Sequence, residues 1–312
     1  MSAQRIDHVL ITRFNVPTPG RESLIRAKDG WLRDRVDLFE RFCAPSVEGQ
    51  TNQDFHWLIY FDPESPGWLM EWLDANGASR RFTPVFRTSV SNAEMVDDLR
   101  RLTGARGDVL LTTNLDNDDG LAVDFVERLQ AAVSGTARQA IYLTHGLILC
   151  DRRVYLRTDR HNAFCSVAET WDAPVTAWAD WHNRLGLAMP VKEVAGPPAW
   201  LQVVHGRNVS NSVHGRLLSP SPLTHLFPSA LPGLGEPTAR QMFVGNVIAG
   251  PLRAVKAALR TALKGVLLRL LGPNGFDALK NRAAEILDRR QAPAGSDAGP
   301  AAPLNQATGV GQ

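Results

Sequence analysis

Apolar residues in the first half of the chain follow two alternating rhythms. Short runs at 8–13, 55–61, 82–86 and 108–113 have the length of strands. The second, FHWLIYF, is apolar and aromatic enough to be buried on both faces. Pro84 in the third predicts an edge strand or a bend. Between these runs the spacing turns helical. Apolar side chains at 31, 32, 36, 38, 39 and 42 predict one helix, and 68–73 and 121–133 predict two more. Ser91 and Glu94 have capping-box spacing at the start of a helix over 91–102. Beyond residue 140 the pattern is more mixed, with strands expected at 140–149, 153–157 and 201–204. Strands alternating with helices predict an α/β fold whose mostly parallel, mixed sheet is flanked by helices and continues into the second half.

After Pro251 the character changes. The stretch 252–271 carries five basic residues and no acid. At helical spacing Arg253, Lys256, Arg260 and Lys264 form one stripe, and Leu252, Val255, Leu259, Leu263, Val266 and Leu270 form another. Gly272-Pro273 ends that helix, and 276–289 predicts a second. Residues 291–312, rich in Ala, Pro, Gly and Gln, have the composition of a disordered tail. The expected organisation is a domain over 1–250, a basic amphipathic extension over 251–290, and the tail.

The formal net charge of +2 hides this asymmetry: residues 251–290 carry nine Lys/Arg against three Asp/Glu. The remaining body is mildly acidic, which argues against a nucleic-acid partner. The basic helix suits either packing on the domain or adsorption to an anionic membrane surface. Cys43, Cys150 and Cys165 are an odd number without CxxC spacing, so neither a disulfide framework nor a zinc site is expected. The first residues lack the pattern of a signal peptide, and no uncharged window is long enough for a transmembrane helix. The expected location is cytoplasmic, with peripheral attachment at the inner face of the plasma membrane.

The chemistry concentrates after the fourth strand, in Asp116-Asn117-Asp118-Asp119. Ligands of open α/β sheets bind beyond the carboxyl ends of the strands. Clustered carboxylates repel unless water or a cation screens them, and a hard divalent ion completes its shell with phosphate oxygens and water. The same run also suits the N-terminal end of a helix dipole. An EF-hand fits poorly, because Leu121 stands where the sharp-turn glycine is needed and a strand precedes the loop.

Several segments occur in an order that resembles the bacterial rhamnosyltransferase family, glycosyltransferases with the GT-A fold. They are TRFNV at 12–16, FCAPSV at 42–47, QTNQDFHW at 50–57, YFD at 60–62, NLDNDD at 114–119, NAFCSVAE at 162–169 and WLQVVHGRN at 200–208. The resemblance implies a GT-A-like nucleotide-diphospho-sugar transferase using Mn²⁺ or Mg²⁺, with Asp118 binding the metal. Asp116 would sit near the ribose or the metal, and Asp119 would orient either partner. Asp62 would accept a hydrogen bond from the base, Arg13 and Asn15 would line the same pocket, His205 would complete the metal shell, and Arg207 would contact the diphosphate. The donor would be a nucleotide sugar, with rhamnose the sugar in the family's label and dTDP one carrier for it, and the acceptor a glycan or lipid-linked glycan. An inverting reaction needs a carboxylate base, for which Glu169 comes first and Asp180 second.

Each role has a structural counterpart. Arg13 and Asn15 suit ordinary loop polarity, and His205 suits a backbone-bonded histidine. Ser166 and Glu169 have capping-box spacing. Trp171, Trp178 and Trp181 suit helix packing as well as a sugar surface. Two other functions remain open at this stage. One is a metal-dependent phosphoryl-transfer or hydrolytic enzyme, although no aspartate ends the first strand. The other is a non-catalytic carbohydrate-binding protein.

Overall fold

The structure, a computed structural model, describes residues 4–17, 30–77, 81–205 and 213–252. The chain divides into two units, 1–253 and 254–312, and only the first contains described residues. Apart from its first two residues, the expected basic extension lies outside the described residues, as does the tail.

Seven strands form the main sheet: β1 (Ile6–Arg13), β2 (His56–Phe61), β3 (Phe82–Phe86), β4 (Val109–Asn114), β6 (Gln139–Leu143), β9 (Ser166–Glu169) and β10 (Val191–Val194). Their order is β10-β6-β9-β4-β1-β2-β3. β1 pairs in parallel with β2 and β4, and β2 with β3, whereas β9 runs antiparallel to both β4 and β6. Trp57 to Phe61 are almost wholly buried, as expected of a strand covered on both faces. β3 is the edge strand that Pro84 predicts.

A five-stranded second sheet corrects the expectation of one continuous sheet. It contains β5 (Gly120–Leu121), β7 (His145–Cys150), β8 (Arg153–Thr158), β11 (Trp200–Val204) and β12 (Arg216–Leu218), in the order β12-β8-β7-β11-β5. The apolar run 140–149 is therefore two strands in two sheets. The break is Thr144, whose N–H donates to the Val194 carbonyl beside β6, while Asp159 donates to the Thr144 carbonyl at the end of the β7–β8 hairpin. The break Thr144-His145-Gly146 is short, and the apolar stretches on either side of it are both buried, which hides the crossing.

The helix expected over 31–42 is longer and uneven. Helix α1 (Trp31–Leu38) continues through a π turn (Phe39–Cys43) into α2 (Ala44–Glu48). Pro45 lacks an N–H and crowds the preceding turn, which accounts for the widening there. Helices α3 (Gly67–Asn76), α4 (Asn92–Thr103) and α5 (Phe125–Ala132) complete the main layers, and α4 carries the Ser91–Glu94 capping box. All three cysteines are free thiols.

Candidate functional site

The strand order reverses at β1: β2 and β3 lie on one side of it and β4 on the other. Such a switch point opens a crevice beyond the strands' carboxyl ends. Two loops meet there, Phe14–Asn15 after β1 and Leu115–Asp119 after β4. They are stitched together by the Leu115 N–H on the Ile11 carbonyl and the Asn117 side-chain amide on the Phe14 carbonyl, both at 3.0 Å. Phe14 stacks on Phe61 at 4.8 Å and meets Phe39 edge-on, so the β1 loop is anchored in an aromatic core.

Asp118 is buried at the centre of this crevice. Its Oδ2 lies 2.6 Å from Arg35 Nη1 and 3.1 Å from His205 Nε2. Arg35 Nη1 also donates to Asn117 Oδ1 at 3.0 Å. Burial alone would raise the Asp118 pKa, but the His205 hydrogen bond and the Arg35 charge outweigh it and hold the carboxyl below its usual range. Asp119 goes the other way. It is desolvated, faces the charges of Asp118 and Asp116, and is pushed well above the carboxylate range. Its Oδ1 accepts the Val203 N–H of β11 at 2.8 Å.

The crevice opens into a cleft of about 750 Å³. That is the size of small-ligand pockets in general. Of the residues singled out in the sequence, Arg13, Asp116, Asp118 and Asp180 line it. Arg13 lies over the Trp178 ring at 4.6 Å, and Trp178 Nε1 donates to Asn114 Oδ1 at 2.7 Å. Trp181, 73% exposed, stands at the same cleft beside Asp180, whose Oδ1 accepts the Trp181 N–H. Trp171 instead bonds to Asp7, which precedes the buried part of β1, and no helix holds the three tryptophans.

Four expectations need correction. Glu169 does not reach the cleft. It pairs with Leu110 at the start of β4, about 13 Å along the strand from Asn114 at its far end at ~3.3 Å per residue. Both its oxygens are taken, by Arg138 at 2.7 Å and by the backbone N–H groups of Val175 and Thr176. Its segment is also a strand, so the capping-box spacing with Ser166 is coincidental. Asn15 does not line the cleft; it accepts the Asp62 N–H and donates to Ser65 Oγ. Asp62 accepts the Glu64 N–H on Oδ1 in the same turn and is not part of the cleft lining. Asp119 is turned into β11. It fixes the loop rather than facing a ligand. Arg207 lies outside the described residues.

Sequence reasoning missed Arg35 and Arg157, both of which line the cleft. Arg35 belongs to a helix where a charged residue reads as an ordinary wet position. Only the fold brings it to a loop more than eighty residues away.

Among the described residues no three His, Cys, Asp or Glu side chains form a ready-made metal cage. The donor set still suits a cation that takes its other ligands from phosphate and water. Two neighbouring ligands of an octahedral ion at about 2.1 Å stand about 3 Å apart, and Asp118 Oδ2 and His205 Nε2 are 3.1 Å apart.

The sheet and cleft define a class: an α/β domain whose ligand cleft, lined by carboxylates and arginines, sits at the switch point of its central sheet. The sequence places it more narrowly. The profile of the family described as "Putative rhamnosyl transferase" matches residues 7–217, more than half of the chain, and the chain belongs to that family. No curated protein matches it. Among solved structures it is similar to S. aureus TarS 1–349 in complex with UDP, at 8% identity and TM-score 0.40, covering 64% of this chain and 60% of that one. It is also similar to the inositol-1-phosphate CTP transferase of T. maritima, at 11% identity and TM-score 0.36, covering 75% and 100%. A third is a putative nucleotide-diphospho-sugar transferase of Desulfovibrio desulfuricans G20, at 12% identity and TM-score 0.31, covering 64% and 81%. The chain thus spans about three fifths of the TarS fragment it matches.

Proposed function

We propose that the chain is a GT-A-like glycosyltransferase that takes a sugar from a nucleotide donor, rhamnose by its family label and dTDP as the carrier, and transfers it with inversion onto a glycan or lipid-linked acceptor. The observation that carries this is the Asp118–His205 pair at the switch point, opening onto a cleft that Arg13 and Arg35 also line. In this reading Asp118 and His205 hold Mn²⁺ or Mg²⁺ against the donor's diphosphate. Bound there, the cation neutralises charge that develops on the leaving diphosphate. Asp116, exposed at the mouth of the loop, faces the ribose. Arg13, spread on Trp178, presents its positive charge to the phosphates.

Inversion requires a base on the acceptor side. Asp180 takes that role in place of Glu169. It lines the cleft and is half-exposed, its carboxylate held by the Trp181 N–H and by Arg184 at 3.4 Å. Its neighbour Trp181 offers an aromatic face to the acceptor's C–H surface. The test is calorimetry with dTDP and UDP, with Mn²⁺ or with chelator. Binding should need the cation and vanish in Asp118→Ala. Equal binding in chelator would end the metal-dependent reading. Asp180→Asn should keep donor affinity and lose at least 100-fold in kcat.

The same reading includes a membrane-facing role for residues 252–271. Among the described residues no helix is long and apolar enough to cross a membrane. The described residues leading into this segment leave Phe243, Val247, Ile248 and Leu252 exposed at helical spacing. An apolar face continuing into a basic sequence supports adsorption to anionic headgroups.

A further inference from the structure

We infer that Arg35 and a divalent cation compete for the Asp118 carboxylate, and that cation and donor together shift Arg35 onto the donor's diphosphate. This rests on reading the cleft as a sugar-nucleotide site.

Arg35 is only 16% exposed in its side chain, and one nitrogen serves two acceptors, Asp118 Oδ2 at 2.6 Å and Asn117 Oδ1 at 3.0 Å. The same Asp118 oxygen faces His205 Nε2. A divalent ion held by Asp118 and His205 would therefore crowd the guanidinium on one shared oxygen. Two cations at that spacing in a buried setting repel strongly. The two therefore compete for that oxygen, and a buried arginine that leaves one anion needs another.

The geometry supplies the alternative partner. Arg35 lines the cleft into which the diphosphate is proposed to bind, its guanidinium carbon 5.2 Å from the Trp31 ring. The planar fork of an arginine matches phosphate oxygens better than a point charge does. Asn117, fixed to the Phe14 carbonyl, keeps one acceptor beside Arg35 throughout the exchange. Cation alone must compete with Arg35, and nucleotide alone finds Arg35 engaged. Together, each offers the group displaced by the other a place to go. Cation and nucleotide therefore bind with positive coupling, and linkage makes that coupling reciprocal.

The experiment titrates Mn²⁺ into the full chain, counting free ion by electron paramagnetic resonance, with and without dTDP or UDP. Arg35→Met should bind Mn²⁺ alone about tenfold more tightly than the wild type. It should bind nucleotide with Mn²⁺ about tenfold more weakly. Mn²⁺ affinity unchanged or lowered in the nucleotide-free variant would overturn the inference, as would undiminished nucleotide binding. Arg35→Lys keeps the charge and loses the fork. Its Mn²⁺ affinity should stay within about threefold of the wild type while nucleotide affinity falls, so the inference is tested even where the methionine variant fails to fold. If neither protein binds nucleotide at any Mn²⁺ concentration, the sugar-nucleotide reading falls and takes the inference with it. If the wild type binds and the variants match it, the inference alone falls.

Discussion

Gly146 shows how one missing side chain shapes the cleft. A Cβ there would stand 2.0 Å from the Trp200 ring. Trp200 is buried, stacks on Phe164 at 5.1 Å, donates to the Leu143 carbonyl and forms part of the cleft wall. Gly146→Ala should therefore overpack the site, lowering unfolding free energy by about 1–3 kcal/mol in urea titrations. Displacement of Trp200 should weaken nucleotide binding as well. Glu169 gives the opposite kind of test. Glu169→Gln should lower the melting temperature, since it puts an NH2 donor where a buried carboxylate oxygen pairs with Arg138, and leave donor affinity unchanged. A selective loss of kcat with no loss of stability would restore it as the base. Residue identities carried only part of this. The acidic loop was legible because three aspartates directly after an apolar strand need a reason. Glu169 and Arg35 were not, since their roles depend on Arg138 and on Asp118, which only the fold supplies.

At the scale of elements, β1 and β4 carry a pH response. His8 on β1 is fully buried, its Nε2 3.0 Å from Thr113 Oγ1 on β4, and desolvation pushes its pKa down to about 3. The folded pKa lies below the unfolded value of 6.5, so the unfolded chain binds the proton first. Stability from this group is complete above that value and is lost as pH falls toward 3, by at most about 5 kcal/mol. His8→Gln should flatten the urea midpoint's dependence on pH between about 6.5 and 3, the interval where the wild type loses stability fastest from this source. Most elements were legible from periodicity, including the Ser91 cap and the Pro84 edge. The single helix at 31–42 and the single strand at 140–149 were not. Helical apolar spacing ran on through the change from α to π geometry at Phe39, and the short break Thr144-His145-Gly146 sat inside an otherwise apolar stretch.

At the scale of the molecule, charge asymmetry was plain in the sequence, whereas the division into two sheets was not. The charge makes its own prediction. Replacing Arg253, Lys256, Arg260 and Lys264 by glutamate in the full chain should abolish co-sedimentation with phosphatidylserine vesicles and leave nucleotide affinity intact. Wild-type protein that ignores such vesicles at low salt would sink the membrane reading.

Asp118 and His205 lie 87 residues apart, the one following a strand of the seven-stranded sheet and the other following a strand of the five-stranded sheet. Contacts so distant along the chain are entropically costly to close. A chain caught with only its first sheet assembled would carry the aspartate without its histidine. Ligand capture thus becomes a report that folding is complete. In refolding followed with a fluorescent dTDP analogue and Mn²⁺, capture should begin no earlier than the burial of Trp200, which opens the strand that delivers the histidine.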